Sequence, residues 1–209
     1  MAVIYAFGDS ITYGAWDMEG NGWASRVRHY LDDRQDKDPS FYQIFYNLGI
    51  PGETTEGLVK RFKSEVEARE REDENAIFIL AFGANDAAQI NGKFAVEKEK
   101  YVENLSQIIS SFKNLSKNIV ILNITPVIEE MTAKPNHRNK IRLNFYIDEY
   151  NAELKKLVER EKTIFIDTNS IYKNNDYLTL FDEDGLHPNS KGHELIFQAV
   201  KAELDKILG

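Results

Sequence analysis

Three side chains drawn from opposite ends of this 209-residue chain are of the types that perform nucleophilic catalysis. Ser10 stands in Gly8-Asp9-Ser10; Asp184 and His187 stand in Asp184-Gly185-Leu186-His187-Pro188-Asn189. A serine hydroxyl is a weak nucleophile until a base within hydrogen-bond reach takes its proton. His187 suits that task because imidazole titrates near neutrality. The imidazole in turn needs a partner that fixes its tautomer and stabilises the imidazolium, and Asp184 shares its short loop. An attacked carbonyl becomes an oxyanion, which needs donors already in place. The side-chain amide of Asn85, in Gly83-Ala84-Asn85-Asp86, and the backbone N–H groups of Ser10 and Gly52 are the available donors. Glycine at position 52, closing Asn47-Leu48-Gly49-Ile50-Pro51-Gly52, allows a backbone to approach a substrate closely and to adopt an unusual φ.

These residues are useful only if the elements between them bring them together. Five short apolar runs, Val3–Phe7, Phe41–Leu48, Ala76–Phe82, Ile119–Asn123 and Thr163–Ile166, read as strands. Ile77-Phe78-Ile79-Leu80 and Ile119-Val120-Ile121-Leu122 show no polar alternation, which fits strands covered on both faces of a parallel sheet. Between the runs lie stripes at helical spacing. The first is Trp23, Val27, Tyr30 and Leu31, and the second Leu58, Val59, Phe62 and Val66. A third comprises Tyr101, Leu105, Ile108, Phe112 and Leu115, and a fourth Ile147, Tyr150, Leu154, Leu157 and Val158. Leu195, Ile196, Ala199, Val200, Leu204 and Ile207 complete the chain. Strand and helix alternating in this way predict an α/β domain with a parallel sheet and right-handed crossovers, one domain over residues 1–209. The reactive edge of such a sheet lies beyond the carboxyl ends of its strands. Three of the motifs follow the first three strands, and the fourth precedes the last helix. The segments Thr125–Lys140 and Asn169–Leu186 read as irregular, and the charge run Glu65–Glu74 as the solvated face and end of the second helix.

Each motif alone is a weak signal, since Gly-Asp-Ser is expected by chance in roughly one chain of this length in twenty. Their order and placement together carry the argument. The blocks Phe7–Gly14, Asn47–Thr55, Gly83–Asp86 and Asp184–Pro188 resemble those of the SGNH hydrolases, also called GDSL-type esterases and lipases. They span the domain, and the pattern looks closest to small bacterial acylhydrolases akin to lysophospholipase L1. The resemblance implies a three-layer α/β/α sandwich whose five-stranded parallel sheet has the flavodoxin-like order 2-1-3-4-5. It also implies Ser10 as nucleophile, His187 and Asp184 as base and orienter, and Ser10, Gly52 and Asn85 as the oxyanion hole. No metal and no cofactor are implied.

Plainer roles compete with these. Ser10 is also a plausible helix N-cap, Asn85 a turn cap, and Gly52 a turn glycine after Pro51. Asp9 and Asp86 read as structural acceptors of backbone N–H groups, and Gly14 and Gly49 as backbone geometry. His193 reads as a structural or supporting group, His29 and His137 as surface residues, and Asn189 as the cap of the last helix. Trp16, Tyr13, Met18, Phe94, Ile128 and Met131 are candidates for an acyl pocket, against simple packing.

Composition narrows the partners. With 26 basic and 34 acidic side chains the net charge is −8, which disfavours nucleic acid and anionic membranes as ligands. No run approaches a membrane span, and Met1–Phe7 lacks the basic region of a signal peptide, so stable membrane insertion is not expected and a cytoplasmic address is. The absence of Cys excludes thiol catalysis, disulfides and thiolate metal sites. The expected activity is serine-dependent hydrolysis of a small-molecule carboxylic ester: an acyl or acetyl ester, a lysophospholipid or a thioester. The alternatives are a carbohydrate acetylesterase of the same fold, a metal-dependent phosphoesterase and a non-catalytic flavodoxin-like binding module. Oligomeric state is not legible.

Overall fold

The computed structural model describes residues 1–71 and 75–209. The strands are β1 (Ala2–Gly8), β2 (Gln43–Gly49), β3 (Asn75–Ala81), β4 (Gln89–Ile90), β5 (Lys93–Phe94), β6 (Asn118–Leu122), β7 (Lys140–Ile141) and β8 (Ile164–Ile166). The helices are α1 (Ser10–Tyr13), α2 (Gly22–Lys37), α3 (Thr55–Glu67), α4 (Lys98–Lys113), α5 (Glu129–Thr132), α6 (Asn144–Glu161), α7 (Thr168–Lys173) and α8 (Ser190–Leu208). The main sheet has five strands in the order β2-β1-β3-β6-β8, which counts as 2-1-3-4-5 among the sheet strands alone. Every pairing in it is parallel.

The pleat of β1 explains why both faces need cover. Val3, Tyr5 and Phe7 enter one core with Leu58 and Phe62 of α3, Leu105 and Ile108 of α4, and Tyr150 and Leu154 of α6. Ala2, Ile4 and Ala6 enter the other with Trp23 and Val27 of α2 and Ile196 and Val200 of α8. Alternate residues of one strand thus feed two separate cores, as expected for a sheet sandwiched between helical layers. Aromatic stacking fills the first core; the rings of Phe78 and Phe112 lie 3.9 Å apart at 6°.

The expected strands and helices form, with local differences. The second strand begins at Gln43 rather than Phe41, because Phe41 leaves the sheet to lie under the Arg34 guanidinium, 3.7 Å from its ring centre. Leu115 falls past the end of α4 and is exposed. The segment 125–140 is not wholly irregular, since it contains α5 and runs into β7. The segment 169–186 contains most of α7 and a 3-10 turn, Tyr177–Thr179. Elements this short are set by their tertiary neighbours and leave no periodicity in the sequence. A small antiparallel sheet, β5-β4-β7, was not expected at all. The charge run is solvated in part, though Arg69 and Glu65 pair at 2.6 Å; residues 72–74 of it lie outside the described residues. Among the described residues no helix is long and apolar enough to cross a membrane.

Candidate active site

The chain leaves β1 at Gly8 and turns at once into α1. Asp9 rather than Ser10 caps that helix, its Oδ1 accepting the Ile11 N–H at 2.9 Å. Ser10 is the first helical residue, so its side chain is free for other work. The end of β2 packs directly on α1: a Cβ on Gly49 would lie 2.3 Å from the Tyr13 nitrogen. Only glycine permits that approach. Asn47 secures it, its Nδ2 donating to Thr12 O and its Oδ1 accepting Gly49 N–H, both at 3.0 Å. The chain then reaches Gly52 at φ +82°, in the left-handed region.

The third motif is anchored from below. Asp86 Oδ1 accepts from Thr55 N at 2.9 Å and Thr55 Oγ1 at 2.6 Å, while Asn104 Nδ2 donates to the same hydroxyl at 3.0 Å. Burial pushes the Asp86 carboxyl up to about 6 despite these bonds. Asp9 and Asp86 are thus structural acceptors, Asp9 within its own turn and Asp86 across to the start of α3.

His187 arrives on the loop before α8, which Asn189 caps by accepting Lys191 N–H at 3.0 Å and Gly192 N–H at 3.2 Å. Its Nε2 lies 2.7 Å from Ser10 Oγ, although 177 residues separate the two in sequence. Its Nδ1 lies 2.5 Å from Asp184 Oδ2. The other Asp184 oxygen accepts the backbone N–H groups of Leu186 and His187, both at 2.9 Å. Burial tends to raise the Asp184 carboxyl, but the His187 ring and these N–H groups hold it below the usual carboxylate range. An ionised acceptor on Nδ1 keeps that nitrogen protonated and leaves Nε2 as the acceptor facing Ser10. The loop is itself supported from the segment before α5, where Ile128 N–H donates to Gly185 O at 2.9 Å.

Beside Ser10 stand the expected donors. Neither Ser10 N–H nor Gly52 N–H donates to an acceptor among the described residues. Asn85 is buried, and its amide orientation is determined by its neighbours. Oδ1 accepts from Arg142 Nη2 at 3.0 Å and Lys140 Nζ at 3.3 Å, so Nδ2 must face the other way. There it makes two long bonds, to Asp9 Oδ2 at 3.3 Å and Glu53 O at 3.2 Å. Burial raises the Asp9 carboxyl above its ordinary value, against the pull of the Ile11 N–H and the nearby His187 and Arg142.

Arg142 was missed in the sequence, and Lys140 was read only as the end of an irregular segment, without a role at Asn85. Lys140 is brought to Asn85 by β7 of the unexpected small sheet, and Arg142, just past that strand, is locked there by a second bond, Nε to Ala84 O at 2.8 Å. Nothing local distinguishes them from the other basic residues of the chain. Only their position behind Asn85 does.

These groups open onto a cleft of about 670 Å³, with Trp16, Pro51, Met131 and Leu186 among its apolar walls. The Trp16 ring stands edge-on to His187, 6.2 Å between centres at 85°. Of the six candidates for an acyl pocket, Trp16 and Met131 line this cleft. Tyr13 and Met18 are exposed away from its walls, Phe94 packs on Tyr146 and Tyr150, and Ile128 packs against the α2/α8 core. His29 is exposed, His137 is exposed at the cleft rim, and His193 is buried, its Nδ1 accepting Trp23 N–H at 3.3 Å. Among the described residues no group of three or more His, Cys, Asp or Glu is placed to hold a metal ion.

Serine, imidazole and carboxylate thus stand in one hydrogen-bonded chain at the mouth of the cleft. The profile of the GDSL-like lipase/acylhydrolase family matches residues 6–195. The chain belongs to this family. It is a hydrolase acting on ester bonds. The hydrolase is 24% identical to the uncharacterized protein YpmR of Bacillus subtilis, over 96% of this chain and 82% of that protein. It is 31% identical to the uncharacterized lipoprotein YqeF of the same organism, over 60% of this chain and 49% of that one. Among solved structures it is similar to a lipase/acylhydrolase from Enterococcus faecalis, with a TM-score of 0.79 at 21% identity, covering 99% and 97% of the two chains. It is similar also to Axe2, an acetylxylan esterase from Geobacillus stearothermophilus, with a TM-score of 0.74 at 22% identity, covering 97% and 94%.

Proposed function

We propose that the hydrolase cleaves carboxylic esters through an acyl-enzyme on Ser10. The observation that carries this reading is the continuous chain from Ser10 Oγ through the His187 ring to Asp184, 2.7 Å and 2.5 Å long, beside two backbone N–H groups that have no acceptor among the described residues. In the first half-reaction Ser10 Oγ bonds to the carbonyl carbon as its proton passes to His187 Nε2. The oxyanion takes hydrogen bonds from Ser10 N–H, Gly52 N–H and Asn85 Nδ2. Asn85 gives up a share of its long bonds to Asp9 and Glu53 for a far stronger acceptor, the tightening expected between a free site and its transition state. His187 then protonates the departing alcohol, and Asp184 steadies the imidazolium in between. Water repeats the cycle on the acyl-enzyme and releases the acid. Residues 1–209 act in this scheme as one catalytic domain, and no step calls for a metal or a cofactor.

Catalytic mutants of Axe2 replace a serine and a histidine, which accords with this reading. The test is twofold: Ser10→Ala abolishes ester cleavage, and a serine-directed phosphonate labels the wild-type enzyme at Ser10 by peptide mass spectrometry. Full activity in Ser10→Ala would overturn the mechanism, and loss of activity on chelation would favour a metallohydrolase. Rates on p-nitrophenyl esters from acetyl to dodecanoyl, alongside acetylated xylan, assign the acyl class.

A further inference from the structure

Of the run Lys134-Pro135-Asn136-His137-Arg138-Asn139-Lys140, only Lys140, in β7 and against Asn85, has a part in the fold or the site described so far. In the structure the run forms one wall of the catalytic cleft. Its cations stand on the oxyanion-donor side. A Cβ on Gly52 would lie 3.1 Å from Arg138 Nη1, and Lys140 Nζ lies 3.3 Å from Asn85 Oδ1. Buried Arg142 adds its charge behind them.

What these cations lack is as informative as where they stand. The chain carries 34 acidic side chains against 26 basic ones, so a partner for a surface base is easily found. Yet Lys134, Arg138 and Lys140 form no ion pair among the described residues. The acids of the cleft, Asp182, Glu183 and Asp184, line it from the His187 loop, and among the described residues no ion pair crosses from them to the basic wall. Partial burial lowers the Lys140 ammonium below its ordinary value; the charges of Arg142 and Arg138 add to this, and Asp86 and Asp9 oppose it. Such a wall in a concave site concentrates anions.

We propose that the preferred esters of this hydrolase carry a second, anionic group, a carboxylate or a phosphate, seated against Arg138, Lys134 and Lys140 beside Gly52 and Asn85. The proposal rests on the Ser10 reading, since it names the substrate class of that same site. The anion reaches the wall from either side of the ester: as a carboxylate on the acyl part or as a phosphate on the alcohol. Bidentate contact with Arg138 supplies the geometric part of the selection, and the lysines supply charge.

Two matched pairs separate the sources. For the acyl side, 4-nitrophenyl hemisuccinate is compared with its methyl ester; for the alcohol side, 1-acetylglycerol 3-phosphate is compared with 1-acetylglycerol by pH-stat titration. In one arm the wild-type kcat/KM favours the anionic member by roughly 10- to 100-fold, the range of one or two charge-assisted hydrogen bonds. In the double variant Lys134→Gln/Arg138→Gln that ratio falls about tenfold or more, and in the wild type it declines as ionic strength rises. The salt series needs no variant and decides the matter even if the variant folds poorly. A ratio near unity in both arms, or one unchanged by the substitutions, overturns the proposal while leaving Ser10 in place. Failure of the phosphonate to label Ser10, with full cleavage by Ser10→Ala, overturns the underlying mechanism instead.

Discussion

Arg142→Met tests how the Asn85 donor is held. Arg142 is 5% exposed and makes two charge-assisted bonds, to Ala84 O at 2.8 Å and Asn85 Oδ1 at 3.0 Å. Once it is removed, the Asn85 amide is oriented only by long contacts: Lys140 Nζ on Oδ1 at 3.3 Å, and Nδ2 on Glu53 O at 3.2 Å and Asp9 Oδ2 at 3.3 Å. A hydrogen bond to a charged group is worth about 1.5–3 kcal/mol, so the preference for the working orientation falls by roughly 10- to 100-fold in population. A flipped amide presents oxygen where nitrogen should be. The ceiling on the damage is the loss of one oxyanion donor, about 10²–10³ in kcat. The expected result is therefore a fall of about 10- to 100-fold in kcat with KM little changed, because the donor acts on the transition state. Folding weakens too, by about 1–3 kcal/mol, since Ala84 O loses its partner and buried Asp9 loses a neighbouring positive charge. Arg142→Lys, which can restore one bond but not both, lies between the two. The assay is initial-rate kinetics on p-nitrophenyl acetate with urea unfolding on the same samples. A folded Arg142→Met enzyme whose kcat stays within about threefold of wild type, or whose defect is confined to KM, would refute the positioning role.

Two further predictions follow from the geometry. Gly52→Ala forces a side chain into the left-handed region at φ +82° and sets its Cβ 3.1 Å from Arg138 Nη1, so the Gly52 N–H shifts; kcat should fall about tenfold or more with little change in thermal midpoint, and full activity would remove Gly52 from the donor set. The second concerns stability. Burial drives His193 down to about 4 from 6.5, with Asp17 opposing and Arg26 assisting, so the fold holds this ring neutral while the unfolded chain takes up a proton. Its contribution is present above the unfolded value and is lost as pH falls toward the folded one, by roughly 3 kcal/mol between pH 7 and pH 4. The stability deficit of His193→Gln relative to wild type should narrow by that amount over the same window in urea titrations. Raised carboxyls such as Asp86 titrate in both proteins and cancel in the difference. Parallel stability curves would show that His193 does not titrate on unfolding.

Much of this was legible in the residues. Unbroken β-branched and aromatic runs such as Ile77–Leu80 announce a strand with two buried faces, because each face removes every second side chain from water. The stripes of α2, α3, α4, α6 and α8 follow from a 3.6-residue period that survives over several turns. Asp184 and His187 were readable as a pair because three residues of loop bring them within reach whatever the rest of the chain does. Asp9, in contrast, took the capping role that Ser10 was free to play, a choice made by backbone angles in one tight turn.

The four motifs and the alternation of strands and helices were therefore set by amino-acid type and spacing, since periodic burial and local turn chemistry need no distant partner. What only tertiary structure decided was everything joined across the sheet edge: Ser10 against His187, Lys140 of β7 and the following Arg142 behind Asn85, and the basic wall over Gly52. Two-residue strands and single-turn helices have too few bonds to declare themselves, and a cation acquires its meaning from the groups that surround it in space.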